Sequence, residues 1–232
     1  MNWKKILKRT LLAILTIVIV AGSGLYIVFR HEISSLMSLK KIDDYTLYTM
    51  EYDGDYGFDD FLKTGASNDA ELVDFVVKKL LKGLPVEFSI PNLGCSTFNA
   101  ETQDGDRIFG RNFDLTYSPA LFVKTQPDSL VKADKSYQMA TNFLLTPGDY
   151  DFGHGQDRYE KMKTILDQNK GILKDEQAGM DVLKAASSDI HKNERGEESA
   201  TQWSILYNNT DLTAKIIMGR KYDQSAHEFS LK

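Results

Sequence analysis

The first thirty residues show no polar–apolar alternation. From Leu11 to Phe29 the chain carries no charge, and a helix of that length covers about 28 Å, close to the roughly 30 Å hydrocarbon core of a bilayer. The run is apolar on every side, unlike the one-sided stripe of a helix packed in a soluble domain. Lys4, Lys5, Lys8 and Arg9 precede it, and such a basic flank stays cytoplasmic, directing the remainder outward. Two readings fit this segment. One is a retained membrane anchor; the other is a signal peptide cut near the small residues Ala21-Gly22-Ser23-Gly24. Leu25, Tyr26, Ile27, Val28 and Phe29 prolong the apolar run past that point, which favours the anchor.

Beyond residue 30 the periodicity changes. Tyr45 to Met50 alternates and is β-like, and Tyr52 to Gly57 is an acidic, aromatic loop. Asn68 or Asp69 can cap a helix to about Lys82, with Leu72, Phe75, Val76 and Leu80 as its apolar stripe and Gly83 as its stop. Pro85 and Pro91 then break the chain. Two short strands follow, starting at Cys95 and ending at Asp114, joined by the turn residues Gln103-Asp104-Gly105-Asp106. Leu121 to Thr125 reads as another strand, Arg158 to Asn169 and Asp175 to Ser188 as helices. Met180, Leu183 and Ala186 belong to the apolar face of the second of these. His191 to Ser199 is polar and reads as a loop. Thr201–Tyr207 and Thr213–Gly219 read as closing strands around Asn208-Asn209-Thr210-Asp211. The N-x-T sequence in that turn is hairpin chemistry rather than a glycosylation site. No internal repeat is visible. Hairpins plus three amphipathic helices make an α+β domain behind one N-terminal transmembrane helix.

Composition narrows the function. The 232 residues suit one domain with an appendage, and the 42% hydrophobic content is that of a globular protein. The net charge of −5 is interspersed along the chain, which argues against a nucleic-acid surface. His31, His154, His191 and His227 are scattered, with no HExxH or CxxC spacing, so neither a metal nor an organic cofactor is expected.

Cys95 is the one cysteine in the sequence and has no disulfide partner within the chain. A lone cysteine is most often a small buried hydrophobe, or a lipidation site near a membrane. The hairpin, however, returns Arg111 and Asp114 towards the start of its first strand. A thiol, a fixed cation and a carboxylate thereby converge, a catalytic arrangement.

Gly94-Cys95-Ser96-Thr97-Phe98, then the Asp-Gly turn, then Phe109-Gly110-Arg111-Asn112-Phe113-Asp114 resembles the start of the mature choloylglycine hydrolase family. That family of linear amide hydrolases includes bile salt hydrolases and penicillin V acylases. Arg111 and Asp114 stand 16 and 19 positions after Cys95, matching the family's spacing. Tyr137 to Phe143 resembles the segment whose Thr-Asn supplies an active-site asparagine, here Asn142, and Arg158 falls where the family places a second arginine. The last residues, including Phe229-Ser230-Leu231, resemble the family's final strand.

The resemblance implies an αββα sandwich of the N-terminal nucleophile hydrolases. It divides the chain into a basic flank and transmembrane helix or signal anchor (1–30), a leader (31–94) and a hydrolase domain (95–232). The leader is either a propeptide or a permanently attached membrane-proximal segment. The domain is shortened: near Pro127 to Val131 the pattern passes directly to the Thr141-Asn142 segment, without the family region that carries a Gly-Met-Asn-like oxyanion motif.

The implied chemistry is hydrolysis of a small-molecule amide. Scission before Cys95 frees an α-amine with an ordinary pKa of about 8, which acts as base for the thiol. On this pattern Arg111 favours the thiolate, Asp114 orients the amine, Asn142 donates to the oxyanion, and Arg158 holds the network or a substrate carboxylate. The competing expectation is an inactive, membrane-tethered homologue that serves as a binding module or does nothing.

Overall fold

The computed structural model describes residues 3–52, 54–84, 94–116, 119–124, 137–142, 154–193 and 196–232. Helix α1 (Trp3–Val28) has 26 residues and buries none of them. It is long and apolar enough to cross a membrane, and a signal sequence has the same properties. Helix α2 (Arg30–Met37) follows after one residue and leads into strands β1 (Lys40–Asp43) and β2 (Leu47–Glu51). Next come helices α3 (Phe58–Thr64) and α4 (Asp69–Lys79). The Asn68 side chain accepts from Glu71 N at 3.0 Å, and Glu71 accepts from Ser67 N at 2.7 Å. This near-reciprocal cap explains why the helix starts where the sequence places it. It ends three residues before Lys82, and Lys82 and Gly83 both take positive φ beyond it. The helix thus ends with Leu80 as its cap, short of the expected stop at Gly83. Pro85, Pro91, Thr125, the Pro127–Val131 join, Phe143 and Gly153 lie outside the described residues.

The rest of the chain is β3 (Gly94–Thr102), β4 (Arg107–Leu115), β5 (Ala120–Lys124), β6 (Gln138–Ala140), α5 (Gln156–Gln168), β7 (Ile172–Leu173), α6 (Glu176–Ala185), β8 (His191–Lys192), β9 (Glu198–Asn208), β10 (Thr213–Met218) and β11 (His227–Ser230). The fold is mixed α+β. The expected His191–Ser199 loop is interrupted, because β8 pairs with the first residues of β9. Asp175 caps α6 by accepting from Ala178 N at 2.9 Å. Gly105 supplies the positive φ of +87° that the β3–β4 turn requires.

An eight-stranded sheet runs β11-β10-β9-β4-β3-β6, with β7 on β3 and β8 on β9. Alternation along β3 and β4 sends Ser96, Phe98, Ala100, Ile108, Asn112 and Asp114 to one face, where they are buried. Helices α5 and α6 cover that face, packing Met162, Leu166, Val182, Leu183 and Ala186 against Phe98, Ile108 and Leu206. Gly179 permits the close approach of α6, since a β-carbon there would stand 2.8 Å from Ile108 Cδ1.

The opposite face meets a second sheet, β1-β2-β5. Its Leu47 and Ala120 pack on Ile205, Ala214, Ile216 and Met218. Phe122 also stacks on the Phe229 ring, with centroids 4.9 Å apart. Strand β2 pairs in parallel with β5, from Leu47↔Ala120 to Glu51↔Lys124. Residues that precede Cys95 therefore supply two of the three strands of this sheet, and Tyr45 and Leu47 pack in the same core as the chain after Cys95.

Candidate active site

The site is organised by the β3–β4 register, which sets Gly94 opposite Asp114, Cys95 opposite Phe113 and Thr97 opposite Arg111. Cys95 and Arg111 share one face, and the Arg111 guanidinium donates from Nη2 to Cys95 Sγ at 3.2 Å. The guanidinium also lies 5.1 Å from the Phe113 ring centroid, and that ring stacks on Trp203 at 4.6 Å. Cation–π contact with a fixed aromatic pair restrains the arginine beside the thiol. Its Nε is buried and lacks a hydrogen-bond partner.

Asp114 occupies the other face, among the helices. Its carboxylate accepts from Arg158 Nη1 and from the Thr201 hydroxyl. Both charged side chains are about 95% removed from solvent, at 4% and 5% exposure. Burial raises the Asp114 carboxyl above its ordinary range, while the Thr201 hydrogen bond and the Arg158 charge pull it back down. Arg158 sits in the first turn of α5, just after Gly155, whose φ is +90°. A β-carbon on Gly155 would collide with the guanidinium, so glycine there is required twice over. Arg158 also donates to Ser96 Oγ at 3.0 Å and to Asn142 Oδ1 at 3.1 Å.

Asn142 joins the two faces. Its Oδ1 accepts the backbone N–H of Cys95 at 2.8 Å as well as the Arg158 bond. The five residues singled out from sequence thus form one continuous network. In the uncut chain Asn142 is the acceptor at the Cys95 nitrogen, and Asp114, which the resemblance assigns to the freed amine, is engaged by Arg158 and Thr201. Consecutive strand residues point to opposite faces, and with Gly94 opposite Asp114 the Cys95 side chain and the Asp114 carboxylate lie on opposite faces.

Three contributors were not foreseen. Ser96 follows from alternation once Cys95 is placed. Thr201 faces Asp114 because the β4–β9 register shifts between Phe113 and Asp114, which no sequence pattern announces. His154 bridges to Asn142 through its backbone, donating to Asn142 O at 3.0 Å.

A cleft of about 650 Å³ opens on the helix side, lined by Gly94, Asp114, His154, Asp157, Arg158, Lys161 and His191 among others. Away from this site, Asp106, Glu176 and Asp211 draw together closely enough to surround a cation. The Asn208 amide donates to Glu176 at 2.7 Å and to Asp106 at 3.1 Å, and Lys215 pairs with Glu176.

No protein-family model matches the chain, and no curated protein matches it.

Proposed function

We propose that the chain is a hydrolase of linear carbon–nitrogen amide bonds, similar to the choloylglycine hydrolases, with Cys95 as an N-terminal nucleophile freed by scission of the Gly94–Cys95 peptide. The observation that carries this reading is the pair of contacts at one residue: Arg111 on the Cys95 sulfur at 3.2 Å and Asn142 on the Cys95 nitrogen at 2.8 Å. A thiol gains nucleophilicity from a neighbouring cation, and a terminal amine needs an acceptor to aim its lone pair at the thiol proton. Both requirements have a residue in position.

In the proposed reaction the freed amine takes the Cys95 proton, and Sγ adds to the amide carbon of the substrate. The oxyanion is met by the Asn142 carboxamide N–H; one such donor is worth roughly 3–4 kcal/mol. The amine then protonates the leaving nitrogen, and water hydrolyses the thioester. Arg158 and Thr201 hold Asp114, and Arg158 in turn fixes the acceptor end of Asn142. A groove of about 760 Å³ passes Thr97, Asn99 and Phe109, which lie on the Cys95 face by alternation, and it offers room for the acyl part of a small-molecule amide.

Two facing sheets with helices on an outer face support N-terminal nucleophile hydrolase ancestry, in a shortened αββα form. Helix α1 supports membrane attachment, with the catalytic part outside the cytoplasm, or export if α1 is a cleaved signal. The competing reading, an inactive homologue acting as a binding module, is favoured by the Cys95 sulfur lying on the face away from the 650 Å³ cleft. Intact-mass measurement and N-terminal sequencing decide between them. A species beginning at Cys95, with amide turnover abolished in Cys95→Ala, is the expected result. Full-length chain alone, or turnover that survives Cys95→Ala, overturns the hydrolase reading.

A further inference from the structure

Before scission Cys95 has no free amine, so the chemistry proposed for turnover cannot perform the first cut. On the reading that Cys95 is freed by self-cleavage, we propose that His154 supplies the proton that the Cys95 nitrogen must gain when the Gly94–Cys95 peptide breaks.

Gly94 is buried opposite Asp114. The three heavy atoms nearest the position of a β-carbon on Gly94 are Asp114 Cβ at 3.1 Å, Asp114 O at 3.2 Å and His154 Nε2 at 3.6 Å. His154 Nε2 is the titratable atom of the three, and the Gly94 α-carbon adjoins the carbonyl that the sulfur must attack. The His154 backbone is tied to the scissile bond through Asn142. The Asn142 carbonyl accepts His154 N at 3.0 Å, and its side-chain oxygen accepts Cys95 N at 2.8 Å.

The neighbouring groups are committed elsewhere. Asp114 accepts from Arg158 and Thr201, and Arg158 donates to Ser96, Asp114 and Asn142. His154 is exposed to the cleft and can exchange protons with solvent. The two sides of the peptide thereby divide the work: Arg111 holds the thiolate on one face, and His154 serves the leaving nitrogen from the other.

The step balances as follows. The thiol proton passes to solvent, Cys95 Sγ bonds to the Gly94 carbonyl carbon, and the C–N bond breaks as imidazolium gives its proton to nitrogen. This leaves a thioester and a neutral amine, and the imidazole recovers its proton from solvent. Water then adds to the thioester carbon and the C–S bond breaks, giving a Gly94 carboxylate and the free Cys95 thiol. General acid catalysis of this kind contributes about 10²–10⁴-fold.

The test follows full-length chain made by cell-free synthesis with lipid vesicles, sampled over time by intact mass. Wild type is expected to yield the 95–232 piece, with His154→Ala and His154→Gln slowed at least about 100-fold and His154→Ala restored by added imidazole. Wild-type-like cutting in both variants overturns the proposal. So does slow cutting that imidazole fails to restore, which would mark His154 as merely structural. Failure of wild type itself to cut is a separate result, and it removes the self-cleavage reading together with the role of His154.

Discussion

The backbone N–H of Cys95 donates to the side-chain oxygen of Asn142 at 2.8 Å, so the atom that scission would turn into an amine already has its acceptor in the uncut chain. Asn142 has a second end, the carboxamide nitrogen, and two substitutions separate the roles. Asn142→Leu leaves Cys95 N–H and Arg158 Nη2 without that acceptor and is expected to cost about 1–3 kcal/mol of stability. Asn142→Asp keeps the acceptor but removes the donor. It should fold nearly as well as wild type and lose about 10²–10³ in turnover, read by urea denaturation beside kcat for an amide probe.

Arg111 donates to the Cys95 sulfur, and its influence on the thiol can be read directly. Arg111→Met should slow iodoacetamide alkylation of Cys95 on the order of tenfold at neutral pH, because a cation beside sulfur favours the reactive thiolate. Arg111→Lys keeps the charge but loses the planar contact with Phe113 and should fall between. Equal alkylation rates in all three proteins would disconnect the arginine from the chemistry.

The buried Asp114–Arg158 pair should behave asymmetrically. Arg158→Met strands the carboxylate beside Thr201 and is expected to cost about 3–5 kcal/mol, whereas the double change with Asp114→Asn should recover part of that loss. Thermal unfolding of the two single variants and the double variant gives the coupling directly.

Leu47, fully buried beneath the small sheet, tests whether the segment before Cys95 is structural. Leu47→Ala should destabilise the whole protein by about 2–5 kcal/mol. Near-wild-type stability would mean that the small sheet contributes little to the fold.

The Glu176–Lys215 pair sets a pH dependence away from the site. Burial alone would raise Glu176, but hydrogen bonds from Lys215 and Asn208 and the Lys215 charge prevail, holding it below its ordinary value of 4.5. Stability from this group is therefore present above pH 4.5 and is lost as pH falls through the lower folded value. Lys215 is raised, chiefly by its hydrogen bond to Glu176. Denaturation midpoints between pH 3 and 6 should fall less steeply for Glu176→Gln, by under about 1 kcal/mol in total.

Local chemistry was legible in the sequence wherever a short-range rule governs it. The Asp-Gly turn fixed the β3–β4 hairpin, Asn68 and Asp175 marked two helix starts, and the uncharged run marked α1. Relations set by long-range packing were not legible. Helix α3 has only seven residues and α2 eight, too short for a periodic pattern to stand out. The parallel union of β2 with β5 joins segments 73 residues apart, and the strand shift that brings Thr201 to Asp114 leaves no mark in either strand. Cys95, Arg111, Asp114, Asn142 and Arg158 stand out by residue type and spacing, whereas the face that each strand residue among them occupies is decided by register.

The β2–β5 union has a further consequence if the chain is nicked before Cys95. The hydrophobic tether would then belong to one polypeptide and the sulfur to another. Nothing covalent would keep the nucleophile at the lipid surface; retention would depend on a five-residue ribbon of backbone pairing and the aromatic and aliphatic side chains beneath it. Peeling that ribbon away would shed the working half into the surroundings, so the seam between the two pieces would also determine where it acts.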